Sequence, residues 1–231
     1  MITVGIVTHN RREALARLLT SPHYEAALPD GALTLVLDQA SDAATAAWLR
    51  MWAKEARDRR RVWHTGIVDD LARARQWLVD FTSTTLDRLR EEDVMVFLDD
   101  DIEPIASGWL AELLAALERP DVQIAGAGGW RITPDWLVEP APHVPGLVDY
   151  VGGGWCAVRG AVFQAVRFDR DFVRCYWEDA DLCLQVRALG GLVWGCGDIG
   201  LVHHSESDGA QHAWQEINRA RMRAKWGQRY A

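Results

Sequence analysis

The sequence predicts an α/β fold with a mostly parallel central sheet, and three observations carry that reading. The apolar runs "ITVGIV", "LTLVLD" and "VMVFLD" are of strand length and nearly uninterrupted, as in strands covered on both faces. Stretches with apolar residues at helical spacing separate them. Each run ends in polar residues, which brings Thr8-His9-Asn10, Asp38 and Asp99 to Asp101 to carboxyl ends of strands, where open α/β sheets bind ligands.

The elements follow in order. "ITVGIVTHN" is the first strand, built on Ile2, Val4, Ile6 and Val7. Asn10 followed by Glu13 resembles a capping box, and Leu15, Leu18 and Leu19 mark the helix behind it. Residues 33–38 form a second strand, 43–57 a helix, 61–65 a short third strand and 71–89 a long helix weakened by "TSTT". "VMVFLD" is the next strand, followed by a helix on Leu110, Leu113, Leu114 and Leu117 that Pro120 stops. Residues 123–130 are glycine-rich, and 134–146, with four prolines, reads as a long loop. "YVGGGWCAVRGAVF" gives a glycine turn and a strand. Residues 177–191 form a helix with Leu182, Val186 and Leu189 on one stripe, closed by its glycine pair. "LVWGCG" and "GLVHHS" are short strands, and a last helix carries Arg219, Arg221, Arg223 and Lys225 as a basic face, solvated or turned to an anion. The 134–146 loop and the chain after about 205 are expected to be the most mobile parts, ordering when ligands bind. With no repeat and no linker, a single domain of 231 residues is expected.

A net charge of −8 argues against a general polyanion-binding surface, although a local basic patch is compatible with it. The four cysteines have neither CxxC spacing nor a disulfide framework, and they read as reduced thiols. No signal-like start and no run of about 18 apolar residues is present, so a cytoplasmic chain without a membrane span is expected.

Asp99, Asp100 and Asp101 are the most informative residues. Three adjacent carboxylates repel one another, and a cation is the natural compensation. On an extended chain Asp99 and Asp101 share one side and Asp100 the other, a spacing that suits a divalent ion completed by phosphate oxygens of a nucleotide.

Taken in order, "VGIVTHNRREALARLL", "LVLDQAS", "VFLDDDIEPIASGWLAELL", "GGGWCAVRGAVF", "FDRDFVRCYWEDADLCLQVRALGG" and "LVHHS" resemble the family 2 glycosyltransferases of GT-A fold over residues 2 to 207. The resemblance implies a single Rossmann-like GT-A domain with a smaller acceptor-side subregion. Residues from 1 to about 120 would hold the nucleotide-sugar donor, and about 121 to 231 the acceptor and the catalytic group. It implies transfer of a sugar from a nucleotide-diphosphate sugar to an acceptor hydroxyl with inversion, aided by Mn²⁺ or Mg²⁺. Asp99 and Asp101 then match the family's DxD, Asp38 the acid that contacts base or ribose, and Arg75 an arginine of the family. Gln39 and Gln76 depart from the pattern. Asp179 corresponds to the catalytic base, with Glu178 and Asp181 as rivals, and His203 or His204 to a metal or phosphate contact, His203 preferred. Thr8, His9, Asn10, Arg11 and Asp100 complete the expected donor set.

The chemistry asks for the same parts. The leaving diphosphate needs positive charge, and the attacking hydroxyl must lose a proton to a carboxylate across the sugar. Gly152, Gly153 and Gly154 either let backbone approach a sugar closely or form a flexible turn. Trp130, Trp136, Trp155 and Trp177 fall in the acceptor half, where one or two of them are expected to stack on substrate and the others to be core. Zinc bound by His203, His204, His212 and the cysteines fits no closed tetrahedral spacing. Two other classes compete: a haloacid-dehalogenase-type phosphohydrolase and a non-catalytic sugar-nucleotide or glycan-binding module. The first wants its Asp-x-Asp near the N-terminus with Thr or Val where Glu103 stands; the second has no need of Asp179. The acceptor itself, whether small molecule, glycan, lipid-linked or macromolecular, is open.

Overall fold

The structure, a computed structural model, describes residues 1–85, 89–204 and 211–228. Its elements are β1 (Ile2–Thr8), α1 (Arg12–Thr20), α2 (Pro22–Ala27), β2 (Leu33–Gln39), α3 (Ala43–Glu55), β3 (Arg60–Thr65), α4 (Leu71–Thr84), β4 (Val94–Asp99), β5 (Ile102–Pro104) and α5 (Trp109–Leu117). Then come β6 (Val122–Gly126), β7 (Trp130–Ile132), β8 (Val138–Pro140), β9 (Gly146–Leu147), β10 (Trp155–Arg159), α6 (Val162–Ala165), α7 (Glu178–Ala188), β11 (Leu192–Gly195), β12 (Leu201–His203) and α8 (Gln211–Trp226).

The central sheet runs β3-β2-β1-β4-β10-β6-β11-β9. The first four strands are parallel, as expected of βα units. β10 is antiparallel to both β4 and β6, β11 is parallel to β6, and β9 closes the far edge antiparallel to β11. Two small antiparallel pairs, β12–β5 and β7–β8, stand off this sheet.

Alternation along the strands divides the core. Met95 and Phe97 of β4 pack with Leu78 of α4 and Leu182 and Leu184 of α7 on one face. Val96 and Leu98 pack with Leu15 and Leu18 of α1 and Leu110 and Leu113 of α5 on the other. With both faces covered, β2 is buried along its whole length. A Cβ on Gly5 would strike Met95 of the neighbouring strand and crowd Leu78 of α4.

Local expectations fail at four points. Asn10 and Glu13 form no capping box: Asn10 takes φ 56°, and its side chain accepts from Asp42 N–H instead. The cap position is Arg11, whose side chain does not cap the helix but turns to Asp100 and Asp101. α4 ends at Thr84 rather than at 89, as "TSTT" foreshadowed: Thr82 and Thr84 turn their hydroxyls back onto the carbonyls of Leu78 and Asp80. Residues 134–146 contain β8 and the start of β9, with Trp136 buried beneath them, so this is no featureless loop. Leu189 is largely exposed, leaving Leu182 and Val186 to carry the α7 stripe. The expected mobility after 205 falls in part on 205–210 and 229–231, outside the described residues. Among those described, no helix is long and apolar enough to cross a membrane.

Candidate active site

The acidic triplet splits, although Asp100 and Asp101 lie in the turn between β4 and β5 and not on extended chain as expected. Asp100 turns one way, where its carboxylate accepts from the Thr8 hydroxyl at 2.7 Å and from Arg11 at 3.1 Å. Burial pushes this carboxyl up to about 7, against the pull of Thr8 and Arg11. Asp99 and Asp101 turn the other way, into a cavity of about 630 Å³.

β12 supplies the third member. Its antiparallel register sets His203 opposite Ile102, and the next amide, His204 N–H, donates to Asp101 O. The His203 imidazole thereby comes beside Asp101, with Nε2 3.2 Å from Oδ1, while His204 turns to Glu103 at 2.7 Å. The question of which histidine faces the carboxylates is settled by strand alternation. One ligand atom each from Asp99, Asp101 and His203 lies within 4.8 Å of the others. Asp101 Oδ1 is buried and, among the described residues, meets His203 Nε2 without a well-aligned hydrogen bond. Burial raises the Asp101 carboxyl, but His203 and Arg11 together hold it below its ordinary value; contact with Asp101 in turn raises His203. Two carboxylates and an imidazole, with one buried oxygen unspent, fit a divalent cation with further positions left for substrate oxygens.

Arg75 comes from α4, fully sheathed, and joins the two halves of the site. Nη2 lies 2.8 Å from Asp99 Oδ1 and Nη1 2.7 Å from Glu178 Oε1. Gln76, in contrast, bonds Asp80 and the amide of Phe168 and belongs to the scaffold.

Glu178 and Asp179 open α7, delivered by an unusual turn. Arg174, Tyr176 and Trp177 all have positive φ, which costs backbone energy in residues with a Cβ. Asn218 of α8, wholly buried, holds this turn: its amide group donates to the carbonyls of Val173, Cys175 and Tyr176, and its oxygen accepts from Val173 N–H. Asp179 Oδ2 accepts from Gly153 N–H at 3.0 Å and Oδ1 from Ala180 N–H at 2.7 Å. Burial raises both carboxyls against the attraction of Arg75, and the two repel one another. Glu178 Oε2 has no hydrogen-bond partner among the described residues. Asp181 faces away, bound to Lys225 and Trp226.

The glycines between β9 and β10 are explained by neighbours within the protein. A Cβ on Gly154 would collide with Asp99, and one on Gly153 with Arg75. Opposite the carboxylates stands a stack of rings, Tyr150 on Trp130 at 5.4 Å and Trp130 on Trp155 at 6.2 Å between centroids. His203 meets Trp155 edge-on at 5.0 Å. Trp130, Trp155 and Trp177 line the cavity, and Trp136 is core.

Several expected residues stand apart. Thr8, His9, Asn10 and Asp38 do not line this cavity. His9 reaches Gln39 O, and buried Asp38 is held by His64 at 2.7 Å and by Ser41 N–H. Arg11 does reach it, bridging Asp100 and Asp101. The basic face of α8 is largely spent on internal partners: Arg219 on Glu216, Arg223 on Asp135 O and Lys225 on Asp169 and Asp181. Sequence reading missed Tyr150, Tyr176 and Gln215, which line the cavity, and Asn218. Position beside "GGG" was the only sign available for Tyr150.

The parallel βα half, the inserted antiparallel strand and the acidic cluster at the strand ends make up the architecture of the GT-A glycosyltransferases. The chain matches the model of Glycosyl transferase family 2 over residues 3–167, and it belongs to that family. Among solved structures, the mannosyltransferase PcManGT from Pyrobaculum calidifontis, in complex with GDP-Man and Mn²⁺, superposes with a TM-score of 0.70 at 20% identity, over 95% of this chain and 60% of that one. GalNAc-T7 with UDP, GalNAc and Mn²⁺ gives 0.75 at 17% identity, over 100% and 48%. These likenesses are of fold. Uncharacterized protein y4gI of Sinorhizobium fredii (strain NBRC 101917 / NGR234) is 29% identical over 160 residues, which are 57% of this chain and 17% of that protein. The chain thus spans only part of the length of each of these relatives.

Proposed function

We propose that this chain transfers a sugar from a nucleotide-diphosphate sugar to an acceptor hydroxyl with inversion, Asp179 acting as general base. One observation carries the reading: Asp179 and the Asp99–Asp101–His203 cluster face a single cavity, and Arg75 joins Asp99 to Glu178, the residue next to Asp179. The GDP-Man, UDP and Mn²⁺ of the similar structures support a nucleotide-sugar donor. Held by Asp99, Asp101 and His203, a divalent ion, Mn²⁺ or Mg²⁺, would neutralise charge on the departing diphosphate.

The remaining work falls to the chain. The Gly153 and Ala180 amides fix the Asp179 carboxylate, and burial raises its basicity, so it is suited to take the acceptor's proton during attack. Arg75 holds Asp99 and Glu178 in place. On this reading residues to about 120 bind the donor and the remainder the acceptor. The ring stack offers the acceptor a flat apolar wall, and both arginines of the cavity are already paired with carboxylates. A neutral acceptor with a planar or sugar-like face is therefore favoured over an anionic one.

A panel of nucleotide sugars, with and without Mn²⁺, tests this by nucleotide release and by thermal shift. One nucleotide should stabilise the protein in the presence of metal, and the anomeric configuration of the product should be inverted. No stabilisation and no release with any donor would sink the proposal.

A further inference from the structure

Away from that cavity, the described residues gather charge of the opposite sign. Arg50 and Lys54 lie one turn apart on α3, Arg57 follows just past its end, and the edge strand β3 adds Arg60, Arg61 and His64. Together they line an open groove of about 460 Å³ floored by Ala53 and Val62. None of them lines the cavity that holds Asp99 and Arg75.

Two of the six are committed. Arg60 pairs with Glu25 and Glu55 and covers the Trp52 ring, and His64 pairs with Asp38. Arg50, Lys54, Arg57 and Arg61 form no ion pair among the described residues. The chain has 33 acidic side chains against 25 Lys and Arg, so acidic partners are not scarce. Arg50 and Lys54, four apart on a helix, repel. Lys54 complements the helix dipole in the last turn, but that accounts for one cation of the four. No carboxylate among the described residues offsets the repulsion of the others.

We propose that this groove binds a compact anion carrying two or more phosphate groups. Arginine forks match phosphate oxygens in pairs, and the groove's volume is that of a small-molecule site. Compactness follows from the net charge of −8. Within the screening length of about 8 Å the four cations dominate, while a long polyanion extends onto acidic surface. The anion is either a free oligophosphate or a multiply phosphorylated lipid headgroup.

The test uses the full chain in chelator, which removes divalent ions from the catalytic cluster. Inorganic tripolyphosphate is titrated calorimetrically into the wild type, the Lys54→Gln/Arg57→Gln variant and Asp101→Asn. Both substituted positions of the double variant are exposed, so unchanged melting checks its fold. One equivalent should bind, with affinity at least about tenfold lower in the double variant and within about twofold of wild type in Asp101→Asn. Phosphatidylcholine vesicles with and without phosphatidylinositol bisphosphate form the second arm. Vesicle binding that tripolyphosphate displaces assigns the headgroup, and tripolyphosphate binding without vesicle binding assigns the soluble anion. The proposal is overturned if neither probe binds at about millimolar concentration, if the double variant binds like wild type, or if Asp101→Asn alone abolishes binding. Preference for an oligonucleotide over tripolyphosphate would overturn the compact-anion assignment.

Discussion

Arg75 and Glu178, 103 positions apart in sequence, meet at 2.7 Å with both side chains buried. The second nitrogen of the same guanidinium holds Asp99. A residue at the start of α7 and a residue of the acidic cluster are thereby fixed by one cation, which their combined charge keeps protonated against burial. Removing one partner of such a pair strands the other.

Arg75→Met should therefore lower stability by about 3–5 kcal/mol, the range for an uncompensated buried charge, as read from urea unfolding. Adding Glu178→Gln should recover part of the loss. Equal instability of the single and double variants would show that packing, and not the stranded carboxylate, is the cause.

The carboxylate–histidine cluster predicts a metal-dependent response. Mn²⁺ with the preferred nucleoside diphosphate should raise the melting temperature of the wild type by mass action. Asp101→Asn should abolish that rise, since it alters the buried oxygen left without a hydrogen bond. Calorimetry giving the same nucleotide affinity in excess chelator would remove the metal from the account.

Asp179→Asn preserves size while losing basicity. Turnover should drop by about two to four orders of magnitude, with nucleotide affinity changed by less than about threefold. Glu178→Gln is the comparison, and its activity loss should be the smaller. The pH profile gives a separate check. Burial raises the Asp179 carboxyl, and the base must be ionised, so kcat/KM should rise with pH through a value above 3.8. An acid limb at or below that value contradicts the role of burial.

Gly154→Ala places a methyl against Asp99. The backbone of β10 is fixed by its register with β4, where Trp155 faces Leu98, so the Asp99 carboxylate must move. Metal-dependent stabilisation should be lost while the apo protein remains folded by circular dichroism. Full retention of the metal response would mean that the glycine turn yields more easily than its strand pairing implies.

Asn218 never touches the cavity, yet it holds the turn that presents Asp179. Asn218→Leu leaves three carbonyls and one amide without their partner and should cost about 3 kcal/mol or more. Below its own melting temperature the variant should lose kcat while nucleotide affinity stays near wild type. Unimpaired turnover would show that the positive-φ turn keeps its shape unaided.

The parallel half was legible because its signals are local. Uninterrupted apolar runs, helical stripes and acids at strand ends all lie within short windows, and β1, β2, β4, α1 and α5 follow from them. What stayed hidden depends on distant pairing. No window shows that Trp130 and Tyr150, twenty residues apart, stack as neighbours. Nor does one show that Asn218 answers four backbone groups on a remote turn. His203 and His204 are equivalent as letters and become distinct only in the β12–β5 register. The glycines were read as a close approach to a sugar or a flexible turn, whereas Asp99 and Arg75 require Gly154 and Gly153.

The reversed strand β10 has a consequence for how such a chain can vary. Its neighbours reach the rim with their final residues, but β10 reaches it with Trp155, its first. A single seam of backbone bonds therefore fixes both Asp99 and the ring beside His203, and neither flank of the seam can be exchanged as a cassette. Among the described residues, the β7–β8 hairpin has strand pairing with itself and the Trp130–Tyr150 bridge, and bonds to Asp149 besides. Substitutions there leave the seam in register, but Trp130 of that hairpin stacks on Trp155 and so carries the hairpin's position to the seam.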